Sequence, residues 1–325
     1  MIDDRQMEFT NAFQGRRILV TGATGFVGRH LCDALTILGA EIYAVSRTAN
    51  AGRDGSGIAF EAVDVQDYAA LRAMIHRVRP AIVYHLAGLV DTGRDLSLLL
   101  PTLRTNLLGS VHLLHALTEI GCERVIVMGS SEELCCAHGG APNSPYTASK
   151  AAGHLYGNLY HRLYQLPLVT ARIFMAYGPR QPAQKFIPYT ITSLLQRQAP
   201  RLKSGNRVCD LIFIDDLVHG LLTTALASGV VGNTIDLGTG SGTSLRDIAE
   251  MLVEIIGSAA MPIDAGGDDR PCDAPQLADI RTHHLLGDWH PRWSLRRRPD
   301  QHRRVVSSKL SDRVSIRTTK VGKER

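Results

Sequence analysis

Across 325 residues no apolar stretch approaches the roughly 20 residues that a membrane-spanning helix requires. The longest, at 81–90 and 96–101, contain or border polar residues, so a soluble chain is expected. The opening residues mix Asp3, Asp4, Arg5 and Glu8 with scattered apolar side chains and lack the continuous hydrophobic region of a secretory signal, which makes the expected location cytoplasmic. The six cysteines, at 32, 122, 135, 136, 209 and 272, include no CxxC pair and no Cys/His spacing that closes a tetrahedral zinc site. Reduced thiols and no metal are expected, and the adjacent Cys135 and Cys136 are poorly placed for an unstrained disulfide. No internal repeat is present. A content of 44% hydrophobic and 21% charged residues excludes disorder and collagen-like structure and fits one large or two modest domains.

The formal charge of +5 is unevenly spread. Residues 296–325 hold 11 Lys or Arg against 3 Asp or Glu, which leaves 25 basic and 28 acidic residues in the rest of the chain. A short basic tail of low apolar content reads as a solvated end, and the body gives no sign of a nucleic-acid partner.

Short apolar runs at 18–21, 41–46, 58–63, 82–87, 125–130 and 168–174 have the length and β-branched content of strands buried on both faces. Helical patterns separate them. Val27, Leu31, Leu35 and Leu38 recur at three- and four-residue steps before Gly39, and Leu107, Val111, Leu114 and Leu117 do so before Gly121. This alternation predicts an α/β fold with a doubly wound parallel sheet. After Phe174 the chain is punctuated by Pro179, Pro182, Pro188 and Pro200 and by the glycines of 238–242, so a smaller lobe is expected at 176–295 after a first domain at 1–175, with 296–325 as a tail.

Thr21-Gly22-Ala23-Thr24-Gly25-Phe26-Val27-Gly28 follows a predicted strand and opens a predicted helix. In that context the three glycines allow a tight turn, let backbone N–H groups approach a pyrophosphate, and let helix and strand pack closely, so a dinucleotide is the expected ligand. The second strand ends in Ser46-Arg47 rather than in a carboxylate. An arginine there offers forked donors to a 2′-phosphate, favouring NADP over NAD. Asp64 and Val65 are placed to reach the adenine ring, and 85–88, including Leu86, Ala87 and Gly88, to line the nicotinamide ribose.

Tyr146 and Lys150 stand four residues apart, on one helix face. An ammonium beside a phenol, together with a positively charged oxidised nicotinamide, favours phenolate, which can take a proton from a sugar hydroxyl. Ser131, at the end of the fifth strand, falls where this topology places its ligand crevice.

Together these residues resemble the extended short-chain dehydrogenase/reductases, specifically the NAD(P)-dependent nucleotide-sugar epimerases and dehydratases. The resemblance runs from the glycine turn through Tyr84-His85-Leu86-Ala87-Gly88, Thr105-Asn106, Gly129-Ser130-Ser131, Ser144-Pro145-Tyr146, Lys150, Tyr177-Gly178-Pro179 and Asp215-Asp216 to Trp289-His290-Pro291. It implies a Rossmann domain that binds NAD(P), with Asn106 among the cofactor contacts, and a C-terminal substrate-binding lobe for a nucleoside-diphosphate sugar. It further implies that Ser131 hydrogen-bonds the C4 oxygen, that Tyr146 is the base there, and that Lys150 holds the nicotinamide ribose. Glu132 and Glu133 match the positions that hold an acid and a base in the family's 4,6-dehydratases, and mutual repulsion with burial would shift such a pair. Many relatives are homodimers, and the apolar helices near 96–117 and 146–166 suit that arrangement.

Departures from the family pattern fall in the sugar-nucleotide half. Met175 replaces a usual asparagine, Cys209 a frequent arginine, and Cys135 a common tyrosine; Arg207 and Arg270 are the candidates for the diphosphate. Beyond Leu295 the chain turns abruptly into Arg296-Arg297-Arg298-Pro299, a break that a shifted reading frame would produce. Three functions are consistent with these residues. The first is transient oxidation at C4 followed by loss of water or inversion, leaning to the dehydratase. The second is net reduction of a 4-keto sugar by NADPH, and the third a regulator that binds the dinucleotide without chemistry.

Overall fold

A computed structural model describes residues 4–47, 52, 53, 55, 57–137, 139–264 and 275–295. Arg270, Cys272 and the tail from Arg296 lie outside the described residues, and with them the expectations placed there.

The strands are β1 (Arg17–Thr21), β2 (Glu41–Val45), β3 (Gly52–Arg53), β4 (Ala59–Glu61), β5 (Ile82–His85), β6 (Arg124–Ser130), β7 (Leu168–Ile173), β8 (Met175–Tyr177), β9 (Arg201–Leu202), β10 (Val208–Phe213), β11 (Thr234–Leu237), β12 (Gly242–Ser244) and β13 (Ile263–Asp264). The helices are α1 (Asp4–Phe13), α2 (Phe26–Ile37), α3 (Tyr68–Val78), α4 (Leu99–Thr102), α5 (Gly109–Ile120), α6 (Leu134–Ala137), α7 (Pro145–Tyr164), α8 (Phe186–Leu195), α9 (Ile214–Leu226) and α10 (Leu245–Ile256), with a π-helical stretch, Leu103–Leu108, between α4 and α5.

Eight strands form the large sheet in the order β11-β7-β6-β5-β1-β2-β4-β3, all parallel except the short edge β3. Alternation along the strands sorts side chains to two faces. Ile18, Val20, Tyr84 and Ile126 pack with Leu31 and Leu35 of α2 and Leu217 and Leu221 of α9. Leu19, Val83 and Val125 face the other way, onto Leu71 and Ile75 of α3 and Leu113 and Leu117 of α5. Burying each such leucine or isoleucine contributes roughly 1.5–3 kcal/mol. The fold is therefore the expected doubly wound sheet, and its six central strands follow the six apolar runs.

The winding reverses between β1 and β5, where Thr21 stands in register with Val45 on one side and His85 on the other. A crevice opens beyond the carboxyl ends of strands at such a point. After β7 the chain builds a three-stranded sheet, β12-β10-β8, and a two-stranded one, β13-β9, and together these form the smaller lobe. The expected boundary near 175 marks where the chain first leaves the large sheet. It is not a clean division, because β11 returns to pair with β7 and α9 packs under the same sheet. β11 was not foreseen, because Asp236 interrupts its short apolar run. The helix α1 was also unforeseen; it seats Phe13 in the core, with Phe9 edge-on to His219 at 5.5 Å.

Candidate active site

The glycine turn is built by contacts that exclude side chains. Gly22 has φ +68°, and a Cβ there would lie 2.8 Å from the backbone of Leu86 and Ala87. A Cβ on Gly28 would lie 2.3 Å from the Gly22 carbonyl, so only glycine lets α2 pack this closely on the turn. Gly25 caps α2 without a side-chain acceptor. The first amides of the helix are thereby left for an external anion, and the open turn fits a dinucleotide pyrophosphate.

A buried chain of hydrogen bonds fixes the neighbouring loop. The Ser110 hydroxyl donates to the Asn106 carbonyl at 2.5 Å, so it accepts from Nε2 of His85 at 2.9 Å. Nδ1 of His85 then accepts from the Thr21 hydroxyl at 2.8 Å, and Thr21 Oγ1 accepts from the Ala87 amide at 3.1 Å. Burial first, and the charge of Lys150 second, push the imidazole pKa down to about 3, so His85 is neutral. Asn106 clamps the same loop: its Oδ1 accepts from the Leu89 amide at 2.7 Å, and its Nδ2 donates to the Leu89 carbonyl and to Ser149.

Ser144 caps α7 by accepting from the Thr147 amide at 3.1 Å, with Pro145 at the first helical position. This cap sets Tyr146 in the first turn and Lys150 one turn later. The Lys150 ammonium donates to the Met128 carbonyl at 2.7 Å and lies 6.0 Å from the centroid of the Tyr146 ring. Burial lowers the Lys150 pKa, with the Glu133 charge opposing. Burial also pushes the Tyr146 phenol up to about 12; a hydrogen bond from Ser130 opposes the rise, and Glu132 and Glu133 add to it. In the chain by itself Tyr146 is thus a phenol; the phenolate expected from the sequence also needs the positive charge of an oxidised nicotinamide.

The turn after β6 assigns the neighbouring residues. Ser130 accepts from the Glu132 amide, and Glu133 Oε2 accepts from the Ser130 amide at 3.3 Å, a reciprocal capping box. The other oxygen of Glu133 accepts from Arg172 Nε at 2.9 Å, and Arg172 reaches on to Asp236 at 2.9 Å. Glu132 pairs with Arg207 at 2.5 Å. The two carboxylates are neither solvated nor left to repel each other: each has its own arginine.

These groups surround a cavity of about 460 Å³. Of the expected residues, Gly22, Gly25, Phe26, Val27, Gly28, Leu86, Gly88, Ser131, Glu132, Tyr146, Lys150 and Arg207 line it. Glu133 does not, nor do Thr24, Arg47, Asp64, Val65, Ala87 and Asn106. Thr24 hydrogen-bonds Ser46 at 3.0 Å, Asp64 accepts from the Gln66 amide, Val65 is buried beside α5, and Arg47 is exposed past the end of β2. Ser130 is the residue the sequence reading overlooked, although Ser130-Ser131-Glu132-Glu133 carries the S-x-x-E spacing of a capping box. Gln181 was overlooked too: it lines the cavity, donates to the Ala176 carbonyl at 2.9 Å, and its buried Oε1 finds no donor among the described residues.

A dinucleotide fold with a tyrosine and a lysine facing a glycine turn defines a class, and comparison with known proteins narrows it. The model of the NAD dependent epimerase/dehydratase family matches residues 18–238, and the chain belongs to that family of enzymes. It is 30% identical over 283 residues to a dTDP-glucose 4,6-dehydratase of Actinoplanes sp., covering 78% of this chain and 87% of that one. It is 28% identical over 289 residues to the UDP-glucose 4-epimerase of Mycolicibacterium smegmatis, covering 83% and 89%. Among solved structures, the Bordetella bronchiseptica enzyme WbmF in complex with NAD+ superposes with a TM-score of 0.78 at 25% identity, covering 94% of this chain and 96% of that one.

Proposed function

We propose that the chain binds NAD+ or NADP+ along the glycine turn and transiently oxidises C4 of a nucleoside-diphosphate hexose. The observation that carries this reading is the meeting of Tyr146, Lys150, Ser131 and the glycine turn in one cavity. When bound, the nicotinamide supplies a hydride acceptor and donor at C4. Tyr146 Oη takes the proton of the C4 hydroxyl and later returns it; Ser130 holds the phenol, Ser131 orients the sugar oxygen, and Lys150 supplies positive charge beside them. Because burial holds the phenol up at about 12, Tyr146 becomes a base only with further positive charge brought next to it. That requirement couples proton removal to the oxidised state of the cofactor. The WbmF complex supports NAD as that cofactor. Arg47, exposed at the end of β2 with no carboxylate beside it in sequence, supports NADP as an alternative.

Inversion at C4 fits the cavity better than elimination of water, because only Glu132 of the two carboxylates lines it, and Glu133 spends both oxygens on Ser130 and Arg172. The dehydratase reading keeps one support, the position of Glu132 directly after Ser131 and inside the cavity. We assign residues 1–175 chiefly to the cofactor and 176–295 chiefly to the sugar nucleotide. Two copies pair through an exposed apolar stripe of α7, Leu155, Leu159 and Leu163, beside Leu99, Leu100 and Leu103.

Incubation with UDP- and dTDP-hexoses, read by mass, tests the chemistry. An isomer of unchanged mass is expected, with no net change in nicotinamide absorbance; loss of water points to the dehydratase, and stoichiometric consumption of NADPH to a reductase. Tyr146→Phe is expected to lower turnover by roughly 10²–10⁴-fold while leaving cofactor affinity nearly unchanged. Undiminished turnover in that variant overturns the assignment.

A further inference from the structure

Inside the cavity the guanidinium of Arg207 holds a carboxylate of its own chain, Glu132, at 2.5 Å. Both side chains are largely withdrawn from solvent, at 17% and 12% exposure. The walls around them are mainly apolar, with Phe174, Met175, Ile187, Val208 and Cys209 among them. A forked cation with little competing water binds an anion strongly, so whatever anion enters here must contend with Glu132.

The two partners are not equally fixed. Glu132 sits in the turn that the Ser130–Glu133 capping box locks from both ends. Arg207 reaches it on a long side chain from the turn before β10, where the Arg207 amide donates to the Ser204 carbonyl at 3.1 Å. The arginine is the end that can swing. We infer that Glu132 is an internal stand-in for the diphosphate of the substrate: the entering diphosphate takes the Arg207 guanidinium, and the carboxylate so released faces the hexose. Glu132 then weakens nucleotide binding and becomes available beside Ser131 only when a diphosphate is seated. A sugar without that group leaves the pair closed. This inference rests on the nucleotide-sugar reading above.

Calorimetric titration with UDP and with dTDP, with no sugar and no turnover, separates the two claims. Glu132→Gln keeps the shape and removes the competing charge, and is expected to bind the nucleotide on the order of tenfold tighter than the wild type. Arg207→Met is expected to weaken binding, and in its background Glu132→Gln is expected to bring no gain. Affinity for NAD+ checks that each variant is folded, and Arg207→Gln repeats the comparison if the methionine variant fails that check. Binding by the wild type with no gain in Glu132→Gln, or an equal gain without Arg207, overturns the stand-in role alone. No binding of either nucleotide by any variant overturns it together with the nucleotide-sugar reading.

Discussion

His85 illustrates how one buried side chain ties stability to pH. Its folded pKa, about 3, lies below the ordinary imidazole value of 6.5. Between those values the unfolded chain binds the proton and the folded chain does not, so stability is full above about pH 6.5 and falls as pH drops toward 3. Between pH 6.5 and 4 this one group is expected to cost about 3 kcal/mol. Urea unfolding at several pH values checks it: His85→Gln is expected to be weaker at neutral pH but to lose less on acidification. An equal acid slope in both proteins removes the claim. The role of His85 was half legible in the sequence. Its position at the end of an apolar run placed it near the cofactor, but its partners Thr21 and Ser110 lie 64 and 25 residues away, and only the fold brings them together.

At the scale of elements, the turn after β6 carries a different prediction. If Glu133 is a structural cap and ion-pair partner, Glu133→Ala removes a capping acceptor and leaves Arg172 with Asp236 as its remaining described carboxylate. A loss of about 3 kcal/mol in unfolding free energy is expected. Thermal melts check it, and unchanged stability with abolished turnover points instead to a base. The six central strands were legible because a parallel sheet covered on both faces demands continuous apolar runs, as in β1 and β6. β11 escaped because Asp236 breaks its apolar run and looks like a loop residue until Arg172 is seen to pair with it. The glycine turn and the Tyr146–Lys150 pair were legible because the spacing that marks each of them is local, although Leu86, Ala87 and Met128 help to hold them. The partners of Glu132 and Glu133 were not, since Arg207 and Arg172 come from strands and turns far along the chain.

For the molecule as a whole, the stripe of Leu155, Leu159 and Leu163, exposed at 69%, 41% and 66%, predicts self-association. Sedimentation velocity is expected to show two chains for the wild type and one for Leu159→Glu; a wild type that sediments as a single chain overturns the pairing. The return of β11 to the large sheet ties the two parts of the molecule together. Strand β7 runs into β8 through Phe174, and β11 leads on toward β12, so the large sheet and the three-stranded sheet are joined by two separate crossings of the chain. Two crossings of this kind oppose a jaw-like opening more than a single linker would. At the mouth of the cavity the two parts meet once more, where the Lys185 ammonium reaches across to the Val90 carbonyl at 3.2 Å.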